Sequence, residues 1–345
     1  MGHAARARTG SGRVIHVGER VAITGTGHQL PPTIRGNDDP IFDYLHQHQP
    51  PGTDLFQGYE YRRVLDPGQS LEALMVGAAS RALESAGLGP GDIDVITGYA
   101  SISEFLTPNG LAQVHHLMEL PAHCIVLPIA DEFTNALSGL IVADAMIRTT
   151  RARRALVVVG CNWTQYSNYE KPQAISSSDA AGAFILSATT DRSRFGLVDY
   201  EVSVELEGYG GMYMAPELVT GSPEANGTYT RAWYNITDVG VEMFKNFGVA
   251  TPPRIVNAML ARNGLTGDDI TLLPYQASTV LFDPWRDGIK PAQSILSIAE
   301  LANMTLASIP VNLSRAYDQI EKDWLVMVAV GPQFQAIALL LRRNA

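Results

Sequence analysis

GLGPGDIDVITGYAS, residues 87–101, returns as GLTGDDITLLPYQAS, residues 264–278. Asp92 matches Asp269, Ile93 matches Ile270, and Ala100-Ser101 matches Ala277-Ser278. Upstream of the first copy, Leu71, Leu74, Met75, Ala78, Ala79, Ala82, Leu83 and Ala86 recur at helical spacing, and Gly87 stops that helix. A second echo pairs RRALVVVG, ending at Gly160, with DWLVMVAVG, ending at Gly331. The chain therefore reads as a duplication. Each half runs strand, helix, strand, helix, strand, with crossovers long enough for parallel or mixed sheets covered by helices. The units are too long for a solenoid. The expected fold class is α/β, built as two pseudo-symmetric β/α halves whose sheets sandwich helices. The expected division is a mobile tail at 1–15, an N-terminal half at 16–190, an insertion or capping region at 191–250 and the rest of the C-terminal half at 251–345.

The chain has 345 residues, 46 % hydrophobic and 17 % charged, with a net charge of −10. That composition suits an ordered globular protein, and the acidic balance argues against a nucleic-acid surface. No apolar run reaches the roughly 18 to 20 residues of a membrane span, and no secretory signal is visible, so a cytoplasmic location is expected. The exception to the acidic balance, Arg151, Arg153 and Arg154, reads as a solvated connection. The two cysteines, Cys124 and Cys161, supply neither a disulfide framework nor metal spacing. Motifs for zinc hydrolysis, P-loop phosphate binding and dinucleotide binding are missing. A long Pro-punctuated segment, 28–51, carries His28, His46 and His48. A His-x-His metal pair there lacks Cys or carboxylate company, so no metal is expected. Within 191–250, Tyr209, Tyr213, Trp233, Tyr234, Met243 and Phe247 either line an apolar tunnel or cover the core.

Between the echoes lies VLPIADEFTNALSGLIVADAM, residues 126–146: an apolar strand, an abrupt turn through Asp131, Glu132, Phe133 and Thr134, then a helix. This turn, the duplication, RRALVVVG, SSDAAGAFIL (177–186), LLPYQAS and ANMTLASIPVNL together resemble the thiolase-fold ketosynthase III enzymes over residues 20–342. The resemblance implies a layered α/β/α/β/α arrangement. It also implies a Cys at the start of a buried helix that accepts an acyl group from a thioester, with a His and an Asn from the other half stabilising the oxyanion. On the matching positions this chain carries Phe133 for the Cys, or Glu132 if the register slips by one, and Tyr275 for the His. The Asn is retained as Asn303. All eight histidines lie at or before His123, so the C-terminal half offers none. Where the fatty-acid members carry an Arg that meets the acyl carrier protein, this chain has Val280. Arg62 and Arg63 resemble the segment beside the family's coenzyme A entrance.

Several residues compete to replace the thiol. Cys161 follows the VVVG strand but reads as a small buried hydrophobe. Glu132 reads either as a helix cap or as a general base with a perturbed pKa. Thr134 and Ser138 lack an activating base. Tyr275 can donate to a carbonyl oxygen, and Asn303 is either a donor or an N-cap. Asp179 reads as a structural turn residue.

The expected function is an atypical ketosynthase III-like acyltransferase or condensing enzyme of specialised-metabolite, polyketide-type biosynthesis, working without an acyl-Cys intermediate. Its substrate would be an acyl-coenzyme A or acyl-carrier-protein thioester, with no permanently bound cofactor. Glu132, Tyr275 and Asn303 would be catalytic, and Phe133, Thr134, Arg62, Arg63, Tyr209, Trp233 and Phe247 would contact the substrate. The alternatives are a catalytically silent partner of an active ketosynthase, and a cyclase or hydrolase in a reshaped pocket. A homodimer or a heterodimer with a ketosynthase-like subunit is expected, through the sheet edge near Leu156 to Val159.

Overall fold

The computed structural model describes residues 19–105, 107–218 and 229–344. The tail expected at 1–15 lies outside them. Among the described residues, fourteen strands and eight α-helices follow in chain order. The N-terminal half contains β1 (Arg20–Gln29), β2 (Thr33–Gly36), α1 (Asp43–His48), β3 (Tyr61–Val64), α2 (Leu71–Ala86), β4 (Val95–Ser101) and α3 (Leu111–Leu117). It continues through β5 (Ile125–Pro128), α4 (Asn135–Arg148), β6 (Arg154–Cys161) and β7 (Ala180–Thr189). Next come β8 (Gly196–Val204), β9 (Met212–Leu218), β10 (Tyr229–Ile236), α5 (Asp238–Arg262), β11 (Ile270–Pro274) and α6 (Thr279–Ile289). The chain closes with β12 (Gln293–Ser294), α7 (Ile298–Leu301), α8 (Ser308–Ala316), β13 (Trp324–Val330) and β14 (Gln335–Arg342).

Two five-stranded sheets carry the duplication, in the orders β1-β7-β6-β4-β5 and β8-β14-β13-β11-β12. The pairings correspond one for one: antiparallel, antiparallel, parallel, parallel. The echo extends to the turns. Asp92 accepts a hydrogen bond from the Gly89 N–H at 2.9 Å, and Asp269 accepts one from the Thr266 N–H at 2.8 Å. Each carboxylate thus closes the short 3₁₀ turn that leads into its strand.

Helices form the other layers. Helix α2 begins where the Ser70 hydroxyl accepts from the Ala73 N–H, and it ends at Gly87 with φ 65°. Its apolar face covers β1, β7 and β6 on the outside of the first sheet. Helices α4 and α8 lie between the sheets: α4 touches β4, β6 and β14, and α8 touches β7, β1 and β11. Helices α5 and α6 pack on each other, and α5 covers β14 and β8 outside the second sheet. The result is the α/β/α/β/α order of a thiolase fold. Strand β6 shows why its whole run is apolar: Leu156 and Val158 face α2, while Val157 and Val159 face the middle layer.

Two expectations need correction. Strand β6 is not an edge, because β4 and β7 flank it within the chain; the burial of Leu156 to Val159 comes from its own halves, and the edge strands of that sheet are β1 and β5. Residues 191–250 are not one insertion. They contain β8, the edge strand of the second sheet, and the first half of α5, so that only the β9–β10 hairpin stands outside the repeated plan. Among the described residues no helix is long and apolar enough to cross a membrane.

Gly98, in the middle of β4, has φ 130°, and a Cβ there would meet the Val158 carbonyl oxygen at 1.9 Å. Both the backbone and the close β4–β6 approach exclude a side chain. Gly98→Ala is expected to lower stability by at least about 2 kcal/mol, read as a fall in the midpoint of denaturant unfolding.

Candidate active site

Strand β5 ends at Pro128, and α4 starts at Asn135. The turn between them is held by the Asn135 amide donating to Ile129 O at 2.7 Å and by the Thr134 N–H donating to Asp131 O at 3.0 Å. Phe133 stands in this elbow at φ 70°, a left-handed conformation that costs a residue with a side chain. The turn sends three neighbouring side chains three ways. Asp131 accepts from the amides of Gln333 and Gln335 and from the Ser138 hydroxyl, tying the loop between β13 and β14 to the elbow. Glu132 accepts from the Ser101 hydroxyl at 2.9 and 3.0 Å, and Ser101 in turn accepts from the Trp163 indole N–H at 2.9 Å. Phe133 turns its ring inward.

That ring stacks on Tyr275, with centroids 5.5 Å apart and planes 20° apart, and meets Trp163 edge-on at 5.1 Å. Tyr234 closes the cluster, 4.7 Å from Trp163. Phe133, Tyr275 and Asn303 line one cavity. Tyr275 follows β11, and its N–H extends the ladder by donating to Val328 O. Asn303 sits between Ala302 at φ 48° and Thr305 at φ 43°. Its side-chain oxygen accepts from the Thr305 N–H at 2.9 Å, which leaves the amide N–H₂ as a donor. The site thus lies on the seam, with the elbow from one half and Tyr275 and Asn303 from the other.

Burial sets the protonation of these groups. The Tyr275 phenol is pushed well above its ordinary range by desolvation, with Tyr234 adding to the shift; it stays protonated and acts as a donor. Desolvation raises Glu132 to about 7, and the Ser101 hydrogen bond offsets only part of this. Cys161 is fully buried, donates to Met304 O at 3.0 Å, and is likewise pushed up by desolvation, so it is a locked thiol. Burial lifts Asp179 to about 6 while it binds the Leu65 and Thr164 N–H groups, which makes it a turn anchor.

The remaining sequence candidates are dispersed. Glu132 neither caps α4 nor lines the cavity; its carboxylate lies behind Trp163, reached through Ser101. Thr134 is buried and returns its hydroxyl to Asp131 O. Arg62 is 1 % exposed, lies over the Phe42 and Tyr59 rings and donates to Ile175 O, so it is a core cation rather than an entrance residue. Arg63 donates to Pro31 O on the neighbouring loop. Tyr209 is 88 % exposed beyond β8 and does not line this cavity. On β10 the alternation of a strand gives the cavity Tyr234 and turns Trp233 away. On α5 the cavity takes Phe244 and Gly248, and Phe247 packs behind them on Phe334. His28 bonds Ser314, His48 bonds Tyr44 O and stacks on the Tyr44 ring, and the His46 ring lies 6.4 Å from the Phe42 ring. Trp163 and Thr305 were missed; their signals were a position just past the β6 strand end and a position two residues beyond Asn303.

The chain resembles known proteins over nearly its whole length. The family described as 3-oxoacyl-[acyl-carrier-protein] synthase III matches residues 129–205. A β-ketoacyl-[acyl-carrier-protein] synthase III from Sphingopyxis alaskensis is 28 % identical over 333 residues, covering 94 % of this chain and 99 % of that protein. The solved 3-oxoacyl-[acyl-carrier-protein] synthase III of Aquifex aeolicus superposes with a TM-score of 0.78 at 19 % identity, over 93 % of this chain and 99 % of that one. The priming β-ketosynthase of the R1128 polyketide pathway also gives 0.78, at 18 % identity, over 99 % and 100 %. At such identities the two structures establish the fold.

The Glu132 carboxyl yields a pH prediction. Its folded pKa of about 7 lies above the ordinary 4.5, so its favourable neutral form is fully present below pH 4.5 and lost as the pH rises through 7. Glu132→Gln is neutral throughout and can still accept from Ser101. Relative to wild type, it is expected to gain up to about 3 kcal/mol between pH 5 and pH 8, measured as a growing difference in Tm; a pH-independent difference would refute the buried-carboxyl assignment.

Proposed function

We propose that this ketosynthase III-like protein of the thiolase fold moves an acyl group from a thioester directly to an acceptor nucleophile, with no acyl-cysteine on the way. The observation that carries the reading is the convergence of Phe133, Tyr275 and Asn303 on one cavity. An apolar ring occupies the elbow where this fold would present a nucleophile, while two donors face it from the other half.

The Tyr275 O–H and the Asn303 amide hold the thioester carbonyl oxygen. The acceptor, an alcohol, amine or carbon acid, attacks the carbonyl carbon, and the same donors stabilise the tetrahedral oxyanion as charge develops. The C–S bond then breaks, and the proton lost by the acceptor leaves with the sulfur as free thiol. Because the phenol stays protonated, Tyr275 works as a donor and not as a base. Glu132 is a positioning residue on this reading: through Ser101 it fixes the indole edge of Trp163, which walls the cavity. The thioester is carried by coenzyme A or an acyl carrier protein and is substrate, not resident cofactor. The R1128 relative favours a place in polyketide-type biosynthesis.

Tyr275→Phe and Asn303→Ala are each expected to lower kcat/KM by roughly 10²-fold with little change in KM, measured as thiol release from a panel of acyl thioesters. Intact-mass spectrometry should find no acyl adduct on the wild type, whereas Phe133→Cys should acquire one. A stable adduct on the wild-type chain would overturn direct transfer, and the absence of thiol release with every thioester and acceptor would favour the silent-subunit alternative.

Strand β5 supports a homodimer. Its outer edge has no strand partner among the described residues, and Ile125 on it is 47 % exposed. Light scattering should give twice the chain mass for the wild type and a shift toward monomer for Ile125→Lys.

A further inference from the structure

A second cavity, of about 300 Å³, opens on the outer side of the first sheet. The start of α2, the chain that leads from β4 to α3 and the first turns of α3 line it. The pleat of β4 keeps it apart from the seam. Ala100 faces the outer layer, beside Gly110 and the Glu72 carboxylate, whereas the next residue, Ser101, turns inward to Glu132. The site is therefore independent of the chemistry at the seam. Its frame is fixed by hydrogen bonds of its own. The Asn109 amide donates to Ala100 O at 3.1 Å and to the Ser103 hydroxyl at 2.7 Å, and it accepts from the Ala100 and Leu111 N–H groups, both at 3.1 Å.

Glu72 is the anomaly in this wall. It is 5 % exposed, yet its carboxylate accepts no hydrogen bond and meets no cation among the described residues. It occupies the second position of α2, where the partial positive charge of the helix end favours a carboxylate. The helix end accounts for the charge but supplies neither oxygen with a donor. A buried charge left in that state is costly, and its partner then has to come from outside the chain. The rest of the lining agrees in sign. Glu104 adds a second carboxylate, and among the described residues that line the cavity there is no Lys or Arg. Among the described residues no three His, Cys, Asp or Glu side chains are placed to hold a metal ion, so the partner that fits is an organic cation. Phe105, Pro108 and Ala112 supply apolar surface. The volume of about 300 Å³ is about twice the roughly 150 Å³ that takes a benzene ring, room for a charged head on a short apolar body.

We propose that this cavity binds a small organic ammonium ion, its charge against the Glu72 carboxylate and its apolar body against Phe105, Pro108 and Ala112. Glu72 gives a primary ammonium a charge-assisted hydrogen bond and a quaternary one a direct electrostatic contact. Phe105 is 59 % exposed and brings an aromatic ring, a group that attracts ammonium ions. Glu104 is exposed; it draws cations toward the opening and adds little to their hold. A neutral molecule of the same shape would cover the same apolar surface and leave the Glu72 charge unmet, which sets the two apart.

The test compares charged and uncharged ligands of one shape. Calorimetry on the full chain would set choline against its carbon isostere 3,3-dimethylbutan-1-ol, and butylammonium against butan-1-ol. Each cation that binds should do so at least about 10-fold more tightly than its neutral counterpart. In Glu72→Gln, which keeps the side-chain shape, that ratio should fall to about one, with the unfolding midpoint showing that the variant is folded. Ala112→Leu, at the half-buried start of α3, fills the cavity and leaves the carboxylate in place. It should weaken the cations at least about 10-fold, and it carries the test if the glutamine variant does not fold. Absence of binding by both cations, equal affinity for cation and isostere, or a preference that survives Glu72→Gln would overturn the proposal. So would unchanged affinity in Ala112→Leu, which would put the binding elsewhere on this acidic chain.

Discussion

Phe133 stands in the left-handed region at φ 70°, and the rings of Tyr275, Trp163 and Tyr234 are arranged around the one it carries. A relaxed helical start would cost less and would send these side chains along one turn of α4. The strained elbow instead spreads Asp131, Glu132 and Phe133 in three directions, toward the opposite half, the end of β4 and the cavity. Strain of roughly 1–3 kcal/mol persists only where the surroundings over-determine it. Here the Asn135 amide and the Thr134 N–H brace the turn from within, and the Asp131 carboxylate ties it to Gln333 and Gln335 of the opposite half.

The same turn explains why the cavity lies at the seam. Each half repeats one sheet order, and neither contains the site alone. The elbow from the first half meets the strand end at Tyr275, the Asn303 loop and the Val330–Phe334 loop of the second. Asp131 is the polar fastener between them, because two glutamines from the second half donate to its carboxylate. A duplication thus supplies two scaffolds, and departures from symmetry at the strand ends supply the chemistry.

The duplicated frame was legible in the sequence because strand ends and helix faces are local matters of period and turn residues. Asp92 and Asp269 close equivalent turns, and the α2 face could be read residue by residue. The positions of Phe133, Tyr275 and Asn303 followed from motif resemblance, and all three line one cavity. What failed depended on direction rather than position. Trp233 and Tyr234 are neighbours, and only the pleat decides which faces inward. Arg62 looked like an entrance cation, yet two aromatic rings and a backbone carbonyl enclose it.

The state of the buried polar groups narrows where a nucleophile can come from. Cys161 is the thiol nearest the site, and desolvation together with its bond to Met304 O opposes the thiolate it would need. Cys124 is raised to about 11 by the same cause and belongs to the opposite, outer core. Glu132 carries a proton of intermediate strength but is separated from the cavity by Trp163 and Ser101. Tyr275 is held protonated. Phe133, Tyr275 and Asn303, which line the cavity, can stack, donate and orient, and on the proposed direct-transfer reading the electron pair that opens the thioester arrives with the acceptor.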